Sequence, residues 1–133
     1  MRKFLALSLT LGLLGSAAPL LAHHGFDTEY DATKKFTLTG VVQKVEWQNP
    51  HVWYYVDVKG DDGKVVNYAF SGGAPGQLMR RGIMKGALQI GATITVDGFK
   101  AKDGSTNGFG AKVTYPDGRM VFTAGAANDP TKP

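Results

Sequence analysis

The chain has 133 residues, contains no cysteine and carries a formal charge of +4 at pH 7. This length corresponds to one small domain, and the lack of cysteine excludes a disulfide framework and a lipid-modified cysteine anchor. Two of the positive charges, Arg2 and Lys3, lie at the very start, and without them the formal charge is +2. So weak a charge argues against nucleic acid as a natural partner.

The first 22 residues have the pattern of a secretory signal peptide. The two cations precede an apolar run, Phe4–Leu14, and small residues lead to a cleavage site after Ala22. The apolar run is shorter than the about 20 residues that a membrane span needs; an uncleaved anchor is the alternative. We therefore predict a signal peptide over residues 1–22, a periplasmic mature protein that begins at His23, and no stable membrane span after processing.

Residues 23–35 are polar and are predicted to form an irregular amino-terminal segment. From residue 36, the apolar side chains alternate with polar ones as in a β-strand, and Gly40 is the expected bulge at which the strand bends. The apolar positions of this strand are Phe36, Leu38, Val41 and Val45.

The stretch His51–Gly60 gives the strongest strand signal. One face carries Val52, Tyr54, Val56 and Val58, and the other carries His51, Trp53, Tyr55 and Asp57. The sequence Gly-Asp-Asp-Gly at 60–63 then predicts a hairpin turn into a third strand over 64–72.

A short helix is predicted to begin at Pro75, because proline is favoured in the first turn of a helix. Its apolar residues are Leu78, Met79, Ile83 and Met84. Two strand patterns follow over 91–104 and 108–122, and the second is interrupted by a Pro-Asp-Gly turn.

Three strands, a short helix and two or three further strands are the element order of an OB-fold. We therefore predict an all-β fold with one short helix, an OB-fold-like barrel of five to six strands over residues 36–124. A different small β-sandwich or an open meander is the alternative. Residues 125–133 are predicted to be a flexible tail, and we expect a monomer.

The mature sequence resembles a family of small exported bacterial proteins with a domain of unknown function. The specific segments are the His-His pair after the leader and the Asn-Pro-His-Val-Trp motif over residues 49–53. The resemblance covers nearly the whole mature chain and implies export and a compact β-rich domain. It implies no catalytic residues. The element order is also similar to that of the periplasmic bacterial OB-fold proteins.

The three histidines, His23, His24 and His51, suggest a metal site. After cleavage behind Ala22, the amine and the ring Nδ1 of His23 can chelate one ion. Nitrogen ligands of this kind suit Cu(II), and His51 is the distant imidazole that can complete the set. Residues 23–35 can reach it, at about 3.3 Å per extended residue. We therefore hypothesise a copper site of His23 and His51, with His24 as a further ligand.

This ligand set resembles the histidine brace of lytic polysaccharide monooxygenases and of some periplasmic copper carriers, in ligand type only. The alternative is that the His-His pair is a polar start and that His51 packs against a tryptophan. An oxidative copper enzyme is a third hypothesis, since a brace with an open coordination position can do such chemistry. Copper is the one cofactor that the sequence suggests, and none is certain.

Aromatic side chains near His51 form a second candidate site. Trp47, Trp53 and Tyr55 would suit a sugar, a peptide or a flat apolar ligand if they are exposed. The alternative is that they close the core under the amino-terminal segment, since tryptophan is mostly buried in small domains.

A third candidate site is the basic cluster of Arg80, Arg81 and Lys85, which would suit an anionic partner such as a lipid headgroup or an anionic polymer. The alternative is a solvated face. Acidic residues also alternate near the amino terminus, at Asp27, Glu29 and Asp31, and can add oxygen ligands or pair with arginine.

Enzyme signatures are absent from the sequence: it has no Gly-x-Ser-x-Gly elbow, no cysteine nucleophile and no phosphate-binding loop. We therefore expect a periplasmic binding protein without catalytic residues, whose partner is a small ligand or a component of the cell envelope. Copper binding through the histidines is the first hypothesis. A binding or adaptor module that uses the aromatic face is the alternative.

Overall fold

A computed structural model describes residues 25–123 of the chain. The predicted signal peptide, His23, His24 and the carboxyl-terminal tail lie outside the described residues. Residues 25–29 form a helical turn, here called the amino-terminal turn. The elements that follow it are β1 (Tyr30–Glu46), β2 (Trp53–Lys59), β3 (Val65–Ser71), the helix α1 (Pro75–Arg80), β4 (Thr93–Ala101), β5 (Asn107–Thr114) and β6 (Met120–Thr123).

The strands form one sheet that closes on itself. Antiparallel pairing gives the order β3-β2-β1-β4-β5-β6, and a parallel pairing between Ala69–Ser71 and Asn107–Phe109 joins β3 to β5. The ring is therefore β1-β2-β3-β5-β4, with β6 added along β5 and α1 between the third and fourth strands. This arrangement confirms the predicted all-β, OB-fold-like class.

The predicted bulge at Gly40 is wrong. The register between β1 and β4 is continuous from Phe36 to Val41, and the shift lies further on, between Val42 and Lys44. Position 40 requires glycine for a different reason. A Cβ atom there would overlap the carbonyl oxygen of Asp57 on β2. Glycine therefore allows β1 to pass close to β2 where its pairing changes from β4 to β2.

The bulge also changes which β1 residues face the core. Val42 is fully buried, whereas Val41, expected on the apolar face, is only half-buried. Because the extra residue shifts the alternation, Val45 and Trp47 follow Val42 on the core side.

Residues 30–35, expected to be irregular, belong to β1. Tyr30 pairs with Ala101 and Lys35 pairs with Phe99, with a register shift between the two pairs. Within that shift, Asp31 Oδ1 accepts hydrogen bonds from the backbone nitrogen and the hydroxyl of Thr33, at 2.9 and 2.6 Å. The polar sequence is thus an irregular part of a strand, held by local side-chain bonds.

The core fills the interior of the ring. The alternation predicted for β2 is confirmed, since Val52, Tyr54 and Val56 are fully buried and Val58 is nearly so. From α1, Leu78 enters the core, but Met79 does not, and the helix ends at Arg80 before Ile83 and Met84. The fully buried side chains are Val42, Val52, Tyr54, Val56, Phe70, Leu78, Ile94, Val96 and Val113.

A second, smaller cluster lies on the outer face of the ring. Phe99 and Phe109 are paired on β4 and β5, next to the glycines whose missing side chains make room for Phe36 and Tyr54 in the interior. Because side chains alternate along a strand, Phe99 and Phe109 point outward. They are nevertheless buried, because Tyr30 and Phe26 cover them.

Candidate functional site

The amino-terminal turn is fixed to the outer face of the ring by aromatic packing. The ring of Phe26 stands edge-on to Phe99 and to Phe109, at centroid distances of 5.7 and 5.2 Å, and lies 5.4 Å from the ring of Tyr30. Edge-to-face packing at these distances is favourable and directional. The turn therefore has a defined position above β4 and β5.

Lys102, just after β4, ties the same turn to the β4–β5 loop. Its backbone nitrogen donates a 2.9 Å hydrogen bond to the carbonyl oxygen of Glu29, and its ammonium group donates to the carbonyl oxygen of Asp27. The polypeptide that follows the predicted signal peptide is thus anchored by both apolar and polar contacts.

A cleft of about 520 Å³ opens between the amino-terminal turn, the start of β2 and the β4–β5 loop. This volume lies within the about 300–1,000 Å³ typical of small-molecule sites. We call it the amino-terminal cleft; its lining residues are Thr28, Glu29, Tyr30, Trp53, Ala101, Lys102, Asp103 and Asn107.

Trp53 forms an aromatic part of the cleft wall. It is the first residue of β2 and pairs with Glu46 on β1 and Ser71 on β3. Its neighbours Val52 and Tyr54 are fully buried in the core, so the alternation of the strand turns Trp53 outward, where it is half-buried.

Negative charge collects around the Tyr30 hydroxyl in the lining of the cleft. Burial, followed by the charge of the Glu29 carboxylate, raises the pKa of Tyr30 to about 12, and the charge of Asp103 contributes in the same direction. Both carboxylates are therefore close to the Tyr30 hydroxyl. Hydrogen bonds from Ser105 hold the pKa of Asp103 below its ordinary value, so that Asp103 is ionised at neutral pH.

The other two aromatic residues of the predicted ligand face do not line this cleft. Trp47 is half-buried and packs against the main core. Tyr55 shares the outer face of β2 with Trp53, but its hydroxyl donates a 3.0 Å hydrogen bond to Glu46 Oε2, and the Lys44 ammonium lies 5.2 Å above its ring. Of the three aromatic residues of the predicted ligand face, only Trp53 lines the amino-terminal cleft.

His51 is exposed in the connection between β1 and β2, two residues before Trp53. Its predicted copper partners, His23 and His24, lie outside the described residues. Within the part of the chain that the structure describes, no three histidine, cysteine or acidic side chains are grouped in a way that could hold a metal ion.

The basic residues Arg80, Arg81 and Lys85 are all exposed, at the end of α1 and in the turns that follow it. They belong to the connection between β3 and β4 and take no part in lining the amino-terminal cleft.

Apart from Glu29 and Trp53, the cleft residues were not identified from the sequence; they include Tyr30, Asp103 and Asn107. Tyr30 was assigned to an irregular segment, and its role depends on the long-range pairing of β1 with β4. Asp103 lies in the sequence Lys-Asp-Gly-Ser, which reads as an ordinary turn. No local pattern shows that this turn faces the amino terminus.

Comparison with known proteins gives a family but no activity. The model of a family of unknown function, DUF6152, matches residues 11–111. No curated protein matches the chain. A similar solved structure is the ZRD-deleted mutant of TiaS in complex with agmatine, at 19% identity and a TM-score of 0.45, over 74% of this chain and 24% of that one. No helix among the described residues has the length and apolar character needed to cross a membrane.

Proposed function

Because the chain belongs to DUF6152, a family of unknown function, we propose its function from its own surface: it is an exported periplasmic binding protein that holds a small organic ligand in the amino-terminal cleft. The observation that carries this proposal is the placement of Trp53 and two carboxylates, Glu29 and Asp103, around one cleft of about 520 Å³. An aromatic wall with a few convergent polar groups is characteristic of ligand sites.

The lining residues suggest the chemistry of the ligand. The indole of Trp53 offers a flat apolar surface and attracts cations through its π-electrons. Glu29 and Asp103 accept hydrogen bonds and favour a positively charged donor. Lys102 is the cationic residue of the lining, and its ammonium group donates a hydrogen bond to the carbonyl oxygen of Asp27. We therefore propose a ligand with a ring and an amine or similar cationic group.

Tryptophan fluorescence provides a direct test, because the chain has only two tryptophans. In a Trp47→Phe variant, Trp53 is the sole reporter and lies at the cleft. Titration with benzylamine, benzyl alcohol and benzoate compares one ring with a positive, a neutral and a negative group. We expect binding in the order benzylamine, benzyl alcohol, benzoate. Equal binding of all three, preference for benzoate, or no binding would contradict the proposal.

Variants of the two carboxylates test the same site by calorimetry. Glu29→Gln and Asp103→Asn each remove one negative charge and should weaken benzylamine binding about fivefold to tenfold. Asp61→Asn is the matched control, since it removes the same charge from the exposed β2–β3 turn, away from the cleft. A similar loss in the control would indicate an effect of net charge alone.

Copper binding is a second candidate function, and one observation favours it. The cleft joins the two regions of chain that carry the histidines: Thr28 follows His24 by four residues, and Trp53 follows His51 by two. In this proposal, the amine and ring of His23 bind Cu(II) together with His51, and His24 is an additional ligand.

Cu(II) titration of the protein purified from periplasm tests this second candidate. Mass spectrometry should give His23 as the first residue, and electron paramagnetic resonance should give one nitrogen-ligated signal that His51→Ala alters. An extra alanine before His23 should also weaken binding, because it removes the amine from the chelate. A different amino terminus, or a signal unchanged in His51→Ala, would exclude this site.

A further inference from the structure

The connection between β3 and β4 exposes several apolar side chains. Met79 is 46% exposed, Met84 is 56% exposed and Ile90 is 68% exposed. Among the described residues, the other exposed large apolar side chains are Val65, Val66 and Met120, which lie on strands. The exposed large apolar side chains of the connection all fall between residues 79 and 90, which we call the 79–90 segment.

The backbone that carries these exposed side chains is anchored to the main core. Leu78 directly precedes the segment and Leu88 lies within it. They are 2% and 6% exposed, respectively, and belong to the main core. Backbone hydrogen bonds from Gly82 to Met79 and from Ala87 to Met84 close two turns, each at 3.0 Å. The segment is thus held at the end of the ring while its methionines point to solvent.

The same segment also carries a cluster of exposed positive charge. Arg80, Arg81 and Lys85 are exposed within it, and no aspartate or glutamate occurs between Asp62 and Asp97. A stretch in which cations alternate with exposed apolar side chains is characteristic of surfaces that bind anionic membranes.

The β5–β6 turn, which contacts the segment, carries an acidic residue that is already paired. The β5–β6 turn meets the segment where the hydroxyl of Tyr115 donates a 3.1 Å hydrogen bond to the carbonyl oxygen of Ala87. Within that turn, Asp117 forms an ion pair with Arg119 at 3.3 Å. This turn therefore contributes little net charge to the positive surface of the segment.

We propose that the 79–90 segment docks the protein on an anionic lipid surface. Arg80, Arg81 and Lys85 contact lipid phosphates, while Met79, Met84 and Ile90 enter the boundary between headgroups and acyl chains. An anionic polymer would use the cations but not the exposed apolar groups. A second copy of the chain would bring two sets of three cations together, which the repulsion of like charges opposes. This proposal is independent of the amino-terminal cleft.

Vesicle co-sedimentation of the mature protein tests the proposal. Vesicles of phosphatidylcholine are compared with vesicles that also contain phosphatidylglycerol, and we expect binding to the second kind only. The apolar variant is Met79→Ser/Met84→Ser/Ile90→Ser, and the charge variant is Arg80→Gln/Arg81→Gln/Lys85→Gln. Each should reduce the partition coefficient about tenfold or more. The control, Val65→Ser/Met120→Ser, removes exposed apolar groups elsewhere and should bind like the wild type.

Other binding partners of the 79–90 segment would give different results. If the apolar variant binds like the wild type and only the charge variant loses binding, the exposed apolar side chains take no part, the partner is an anionic polymer and the lipid proposal is wrong. If the wild type forms a dimer in size-exclusion chromatography and the apolar variant is a monomer, the segment is a self-association surface. The unfolding temperature of each variant is also measured. A value near that of the wild type shows that lost binding does not reflect lost folding. Absence of binding by the folded wild type also overturns the proposal.

Discussion

The ring of Phe26 stands edge-on to the ring of Phe109, with 5.2 Å between their centroids and an interplanar angle of 88°. This contact joins the amino-terminal turn to β5 on the outside of the ring. Since Glu29 and Tyr30 lie only three and four residues after Phe26 and line the cleft, the shape of the candidate ligand site depends on a packing contact outside it.

Replacing Phe26 by alanine should therefore loosen one wall of the cleft. The change removes ring contacts with Tyr30, Phe99 and Phe109, and we expect a loss of about 1–2 kcal/mol in the free energy of unfolding. Hydrogen exchange locates the effect. The amide of Lys102, which donates to Glu29, should exchange faster, while the amide of Val52, which donates to Gly73 at 2.8 Å, should stay protected. Equal acceleration of both amides would indicate global destabilisation instead.

Tyr30 should make the fold sensitive to alkaline pH. Its pKa rises from 10.0 in the unfolded chain to about 12 in the fold, chiefly because of burial. The folded state thus favours the protonated hydroxyl. The resulting stabilisation is complete below pH 10 and is lost as the pH rises towards 12.

Urea denaturation at several pH values between 9 and 12 measures this loss. Tyr30→Phe lacks the titrating group, so its free energy of unfolding should fall less than that of the wild type, by about 1–3 kcal/mol over this range. Tyr54, whose pKa is also raised by burial, contributes equally to both proteins. Parallel curves for the two proteins would mean that the Tyr30 hydroxyl is accessible to water.

Gly110 should tolerate no side chain. A Cβ atom at this position would overlap the hydroxyl of Tyr54 and lie 2.8 Å from its Cζ atom. Gly110→Ala should therefore cost about 3 kcal/mol in the free energy of unfolding, as overpacking of a core does. Adding Tyr54→Phe removes the overlapping oxygen and should restore part of this loss.

A control for this experiment is Gly76→Ala in the first turn of α1. The nearest atom to its added Cβ is Arg80 Nη1 at 3.8 Å, which is ordinary contact. We expect a change within about 0.5 kcal/mol or a slight gain, because alanine favours helix. If Gly110→Ala were as well tolerated as this control in urea denaturation, the position of the Tyr54 hydroxyl would be in error.

Glu46 should titrate below its ordinary range. Hydrogen bonding to Lys44, and next to Tyr55, lowers the pKa of its carboxyl group. In a carboxyl-carbon NMR titration, Lys44→Gln should move this pKa upward and Tyr55→Phe should move it upward by less. Lys59→Gln, at the far end of β2, is the control and should leave it unchanged. A downward shift in Lys44→Gln would contradict the assignment of this contact.

The local patterns of the sequence predicted the strands well because burial on one face imposes a period of two. Val52, Tyr54 and Val56 were assigned to one face of β2, and all are fully buried. Trp53 was assigned to the other face. The closed sheet was also predictable, because the order of strands and helix is restrictive.

Features that depend on a partner strand were not predictable. Gly40 was interpreted as a bulge, but its reason is the carbonyl group of Asp57, which only the packing of β1 against β2 reveals. The cleft likewise combines Tyr30, Trp53 and Asp103, which are distant in sequence. Met79 was grouped with Leu78 among the apolar residues of the helix, yet only Leu78 enters the core.

The parallel pairing of β3 with β5 also has a consequence for the order of folding. Residues 69–71 cannot meet their partners until residues 107–109 have been synthesised, and β1 needs β4, with contacting pairs such as Thr37 and Asp97 separated by 60 positions. Contacts between such distant residues form slowly, because a long loop must close before any of them is gained. The ring of strands therefore closes only after most of the chain has been made.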